Sequence, residues 1–128
     1  MKQQLAAEFW GTFALVFTGT GAITINEVSG GTVTHVGVAI TFGLIIMAMI
    51  YTLGEVSGAH FNPAVTVAFA VARRLSQRLV APYIAAQCSG ALVASVVLKL
   101  LFPSSRTLGA TLPAGSSFQS FVLGTLWK

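Results

Sequence analysis

Long apolar runs separated by short polar stretches make up most of the chain. Three are about 20 residues or longer, the length needed to cross the hydrocarbon of a bilayer as a helix. They cover roughly residues 5–25, "LAAEFWGTFALVFTGTGAITI", 33–53, "VTHVGVAITFGLIIMAMIYTL", and 80–102, "VAPYIAAQCSGALVASVVLKLLF". Between the second and third lies "GEVSGAHFNPAVTVAFAVARRLSQR", whose apolar part, Pro63 to Ala72, is ten residues long. As a helix it rises about 15 Å, half a bilayer, so it enters a membrane without crossing it. A further apolar run starts at Phe118 and reaches Lys128, the expected start of a fourth helix, cut short. The pattern predicts an all-α integral membrane domain over 1–128: three spans, one half-helix at about 63–72, and a truncated helix from about 118.

Composition agrees. Hydrophobic residues make up 55% of the chain and charged residues 8%, with a mean hydropathy of +0.83. A soluble domain carries about 25% charged residues. The formal charge of +4 comes from scattered or juxtamembrane groups, which argues against a nucleic-acid partner. The single cysteine, Cys88, excludes an internal disulfide and a cysteine-based metal site. Two histidines, three acids and one cysteine, widely separated, supply neither a metal set nor a nucleophile–base pair. An enzyme and a cofactor are therefore not expected. Lys2 flanks the first span, and Arg73, Arg74 and Arg78 follow the half-helix. Basic residues mark the cytoplasmic side, so the amino terminus is expected there.

The polar nonapeptide "SGAHFNPAV", residues 57–65, then needs an explanation inside so apolar a segment. Irregular backbone at membrane depth is tolerated only when buried in protein or lining a wet cavity. Residues 54–60 are expected to form a re-entrant loop. Pro63 suits the first position of a helix, and Asn62 the N-cap, with its side-chain oxygen accepting a first-turn N–H and its NH2 left as a donor. The half-helix dipole and Asn62 would then point into the membrane centre, a device that repels protons and cations. The carbonyls of Gly58, Ala59, His60 and Phe61 would lead to that point as a ladder of acceptors for small neutral solutes. His60 is assigned an anchoring role in the loop, and Glu55 either the cytoplasmic mouth or solvent.

The stretch "SGAHFNPAVT", with Asn62, Pro63 and Ala64, resembles the Asn-Pro-Ala signature of the aquaporin, or major intrinsic protein, family. "AEFWGTFALVFTGTGA", with Glu8 and Thr12, resembles that family's first helix, and "YIAAQCSGA", with Gln87 and Gly90, its third. The loop from Leu108 resembles the nodulin-type and related bacterial branch. The resemblance covers essentially the whole chain and implies the first of two inverted repeats. It implies a passive channel for water or small uncharged solutes, glycerol and metalloid acids included, which would work in a cell membrane as a homotetramer. A non-conducting half that associates with full-length relatives is the alternative. Phe42, twenty residues before Asn62, stands where the family places a constriction residue. Ile46, one turn on, either lines the same face or packs elsewhere. The resemblance also implies that Glu8 buttresses the pore loop of the other repeat, so that here it would lack a partner. Repeat symmetry asks for a glutamate early in helix four to hold the 57–64 loop. Gly124 stands there instead, with Lys128 in place of the following threonine.

Overall fold

The computed structural model describes residues 1–110, and within them the chain is all-α. Four helices follow in order: α1 Lys2–Val28, α2 Thr34–Ser57, α3 Pro63–Val71 and α4 Gln77–Leu101. The expected helix from about 118 lies outside the described residues. α1 is the central element, packing against α2 and α4, and the short α3 packs against α4.

The long helices extend past the apolar runs at most ends. α2 continues through Glu55 and Val56 to Ser57, so the irregular loop begins at Gly58 and not at Gly54. Gly58 ends the helix in the left-handed conformation, φ 88°, with its N–H on the Gly54 carbonyl. Glycine adopts that conformation without steric cost, which places the stop here.

Among the described residues two helices, α2 and α4, are apolar and long enough to cross a membrane by composition alone. α1, expected as a third, is 27 residues long but falls outside that set. The reason is chemical. α1 carries Glu8, Thr12, Thr20 and Thr24, and its buried stripe is small or polar: Ala7, Glu8, Gly11, Thr12, Gly19, Gly21, Ala22 and Thr24. These residues face protein, so hydropathy understates how well the helix is shielded from lipid. α2 is the opposite case, with only Ser57 buried and most of its apolar side chains outward.

Small residues on α1 and α4 set the packing distance. A side chain on Gly90 would fall 2.3 Å from the Phe9 carbonyl oxygen, so α1 and α4 touch backbone to backbone there. Two further notches open on α1. Gly11 receives the ring of Phe61 and Gly19 the ring of Phe42. Eight residues apart, the notches differ by about 12 Å along the helix axis.

Candidate functional site

The loop between α2 and α3 is folded around one carboxylate. Glu8 is fully buried. Its Oε1 accepts from Ser57 Oγ at 2.6 Å and from the His60 N–H at 3.0 Å. Its Oε2 accepts from the Phe61 N–H at 2.8 Å and from Gln87 Nε2 at 2.7 Å. Four donors thus converge on a charge that would otherwise be very costly inside an apolar protein.

The loop needs that support. Ala59 and Phe61 both take positive φ, 52° and 48°, which costs of order 1–3 kcal/mol for each residue bearing a Cβ. With Gly58 and Ala59 left-handed, the N–H groups of His60 and Phe61 turn toward α1, where Glu8 collects both. Ser57 Oγ also accepts the Ala59 N–H at 3.1 Å, and Tyr83 donates its hydroxyl to the Ser57 carbonyl at 2.9 Å.

A second network begins at Gln87. Its Nε2 also donates to Thr66 Oγ1 at 2.8 Å, and that hydroxyl lies 3.1 Å from His60 Nδ1. The His60 ring is buried between Phe69, 4.6 Å away, and Tyr83, 5.4 Å away. Loop, half-helix, α1 and α4 are thereby joined in one hydrogen-bonded unit. Ser57, Thr66 and Tyr83 belong to this unit although nothing singled them out in the sequence. Spacing could have pointed to two of them: Tyr83 precedes Gln87 by one helical turn, and Thr66 is the hydroxyl inside an otherwise apolar half-helix.

Asn62 takes the N-cap of α3, with extended backbone and Oδ1 accepting the Ala64 N–H at 2.8 Å. Pro63 is the first helical residue. The cap uses the side-chain oxygen, and the exposed NH2 stays available as a donor. A cleft of about 260 Å³ opens beside it, lined by Thr12, Leu15, Val16 and Thr20 of α1, Phe42 of α2, Phe61, Asn62 and Pro63, and Gln87, Cys88 and Ala91 of α4. Phe42 and Asn62 both line this cleft. Ile46 is not among the lining residues and is exposed on α2. Gly58, Ala59 and His60 do not line it either, and the His60 side chain anchors the loop from inside the protein.

At the far end of α1, the segment after α4 is tied back to the helices. Thr107 donates to Glu27 Oε2 at 2.7 Å, and Lys99 Nζ donates to the carbonyls of Pro103 and Ser105. Gly109, at φ 72°, lies against the Thr20 carbonyl.

The family model for the major intrinsic protein matches residues 1–126. The chain belongs to the major intrinsic protein family. Among curated relatives it is similar to Aquaporin NIP1-1 of Oryza sativa subsp. japonica, 51% identical over 122 residues, which is 94% of this chain and 43% of that protein. It is 47% identical over 123 residues to the probable aquaporin NIP4-2 of Arabidopsis thaliana, covering 95% of this chain and 44% of the relative. It is 48% identical over 122 residues to Aquaporin NIP1-1 of Zea mays, covering 94% and 43%. The chain thus spans less than half the length of these relatives. Membership of this family, together with the apolar helices, makes it a membrane protein.

One expectation drawn from the family is corrected. Glu8 does not wait for the loop of another repeat. It holds the loop of its own, at His60 and Phe61. The left-handed residues before and within the N–H pair aim those donors at α1. The 57–64 loop consequently has its buttress without a glutamate near position 124.

Proposed function

We propose that this chain is the N-terminal repeat of a passive membrane channel for water and small uncharged solutes. One observation carries the reading: Asn62 caps a nine-residue half-helix and presents free amide donors in a cleft shared with Phe42. A solute oxygen at this point accepts from Asn62 and turns its own hydrogens away. The positive end of the α3 dipole raises the energy of a cation there. The names of the relatives, aquaporins of the NIP type, support the same class. Glycerol and metalloid acids remain within the solute range, and the aromatic ring of Phe42 favours water. We place the amino terminus and Arg73, Arg74 and Arg78 on the cytoplasmic side of a cell membrane, in a homotetramer.

A second reading is a non-conducting half that associates with full-length relatives. It is favoured by α2, which leaves nearly all its apolar surface unburied. Two measurements separate the readings. The first is the intact mass of the product of the native gene. A value about twice 13.3 kDa brings the second inverted repeat that such pores require. The second is water flux by light scattering in liposomes holding this product. Flux above that of empty liposomes supports the channel. Flux equal to empty liposomes, with capture of a full-length relative, supports the second reading.

A further inference from the structure

The chain has three acidic residues, and two are committed elsewhere. Glu8 is buried in the loop network, and Glu27 sits near the C-terminal end of α1 and receives Thr107. Only Glu55 is left for the opposite end of the molecule. Arg73, Arg74 and Arg78, all exposed, crowd into six residues there.

The turn that carries them is fixed. Arg74 and Leu75 donate their N–H groups to the Phe69 carbonyl at 2.8 and 3.2 Å, and Arg73 donates to Ala70 at 3.1 Å. Gln77 Nε2 reaches the same Ala70 carbonyl at 3.3 Å. Arg73 has a positive φ of 57°, which reverses the chain between α3 and α4. Just before it, Val71 is 78% exposed, an apolar side chain beside a strongly basic turn. Such a turn, at the start of a membrane helix, lies where acyl chains give way to headgroups.

We propose that the Arg73–Arg78 turn is a docking surface for anionic phospholipid headgroups. The guanidinium groups match phosphate oxygens in charge and in hydrogen-bond geometry. Val71 packs against the first acyl carbons below them. Juxtamembrane basic clusters are drawn to anionic leaflets in this way. Because the turn is bonded directly to the last turn of α3, a bound lipid holds the half-helix from its outer end. The inference does not depend on conduction, because its test reads bound lipid.

The test is native mass spectrometry of the full chain in detergent, with phosphatidylglycerol or phosphatidylcholine added. Phosphatidylglycerol should be retained at least about tenfold better than phosphatidylcholine. The triple variant Arg73→Gln, Arg74→Gln, Arg78→Gln should lose that preference, while Arg106→Gln, in the segment after α4, keeps it. Circular dichroism checks that helix content is preserved. If the triple variant does not fold, the three single variants replace it, each expected to lower the preference about fivefold. Undiminished retention by the variants overturns the proposal, as does equal retention of the two lipids by the native chain. Displacement of phosphatidylglycerol by millimolar inorganic phosphate would assign the turn to a free anion and also overturn it.

Discussion

Phe61 fills the space where Gly11 has no side chain. A Cβ on Gly11 would stand 2.0 Å from Phe61 Cε1, closer than any tolerable contact. Phe61 is 2% exposed, and its backbone is held left-handed by the Glu8 bond, so the ring cannot withdraw alone. Gly11→Ala should therefore cost about 1–3 kcal/mol, the usual range for overpacking. Thermal unfolding in detergent measures it. In a Phe61→Ala background the same Gly11→Ala change should cost much less, because the ring that clashes is gone. A Gly11→Ala protein as stable as the parent would show that the loop is soft at this point.

Glu8→Gln tests the buttress. Glutamine keeps one acceptor oxygen but turns an NH2 toward donors, leaving at least one of the His60 or Phe61 N–H groups unpaired. Losing hydrogen bonds to a charged acceptor, plus one buried unpaired donor, gives an expected loss of about 3 kcal/mol. Proteolysis within the 58–62 loop should accelerate, since the left-handed conformations of Ala59 and Phe61 are no longer held. Unchanged stability and cleavage would mean that the carboxylate does not maintain the loop.

These two predictions also mark what the sequence could and could not show. The half-helix was legible because its signals are local: Asn at the cap, Pro at the first position and a run too short to cross a membrane. The donors of Glu8 were not legible. They lie between 49 and 79 residues away in sequence, and two of them are backbone N–H groups that any residue could supply. The end of α2 was misplaced because Gly54 and Gly58 are both plausible stops, and only the left-handed turn at Gly58 distinguishes them. The hydropathy of α1 hid a buried polar face that becomes clear only when α4 and the loop are packed against it. Phe42 was placed by its spacing from Asn62, while the notch at Gly19 that seats it becomes visible only when α1 and α2 are packed together.

Phe42→Ala should widen the solute range. The ring rests on Gly19 and lines the cleft that contains Asn62. Its removal enlarges that cleft, and pore width is a primary determinant of which neutral solute passes. In a conducting form, the glycerol-to-water permeability ratio should rise at least about threefold, at a stability cost of about 1–2 kcal/mol for a half-buried ring. Stopped-flow shrinkage of liposomes against glycerol and sucrose gives both permeabilities. An unchanged ratio would remove Phe42 from the constriction.

Asn62→Asp separates the electrical role of the residue from its structural one. Aspartate caps a helix as well as asparagine does, so α3 should keep its N-terminus and the protein its stability. The substitution removes the amide donors that a passing oxygen would meet and places a negative charge at the positive end of the α3 dipole. In a conducting form, neutral-solute flux should fall about tenfold, corresponding to about 1.4 kcal/mol for the lost donor. Sodium leak, expected to be absent from the parent, should become measurable by a sodium-sensitive dye inside the vesicles. Asn62→Ala serves as the contrast: it loses about 1 kcal/mol of capping and the donors, without adding a charge. A fall in neutral flux with both substitutions, and a sodium leak with aspartate alone, assigns the barrier to the charge balance at this position. If neither substitution changes either flux, Asn62 is only the cap of α3, and the pathway for solutes does not pass it.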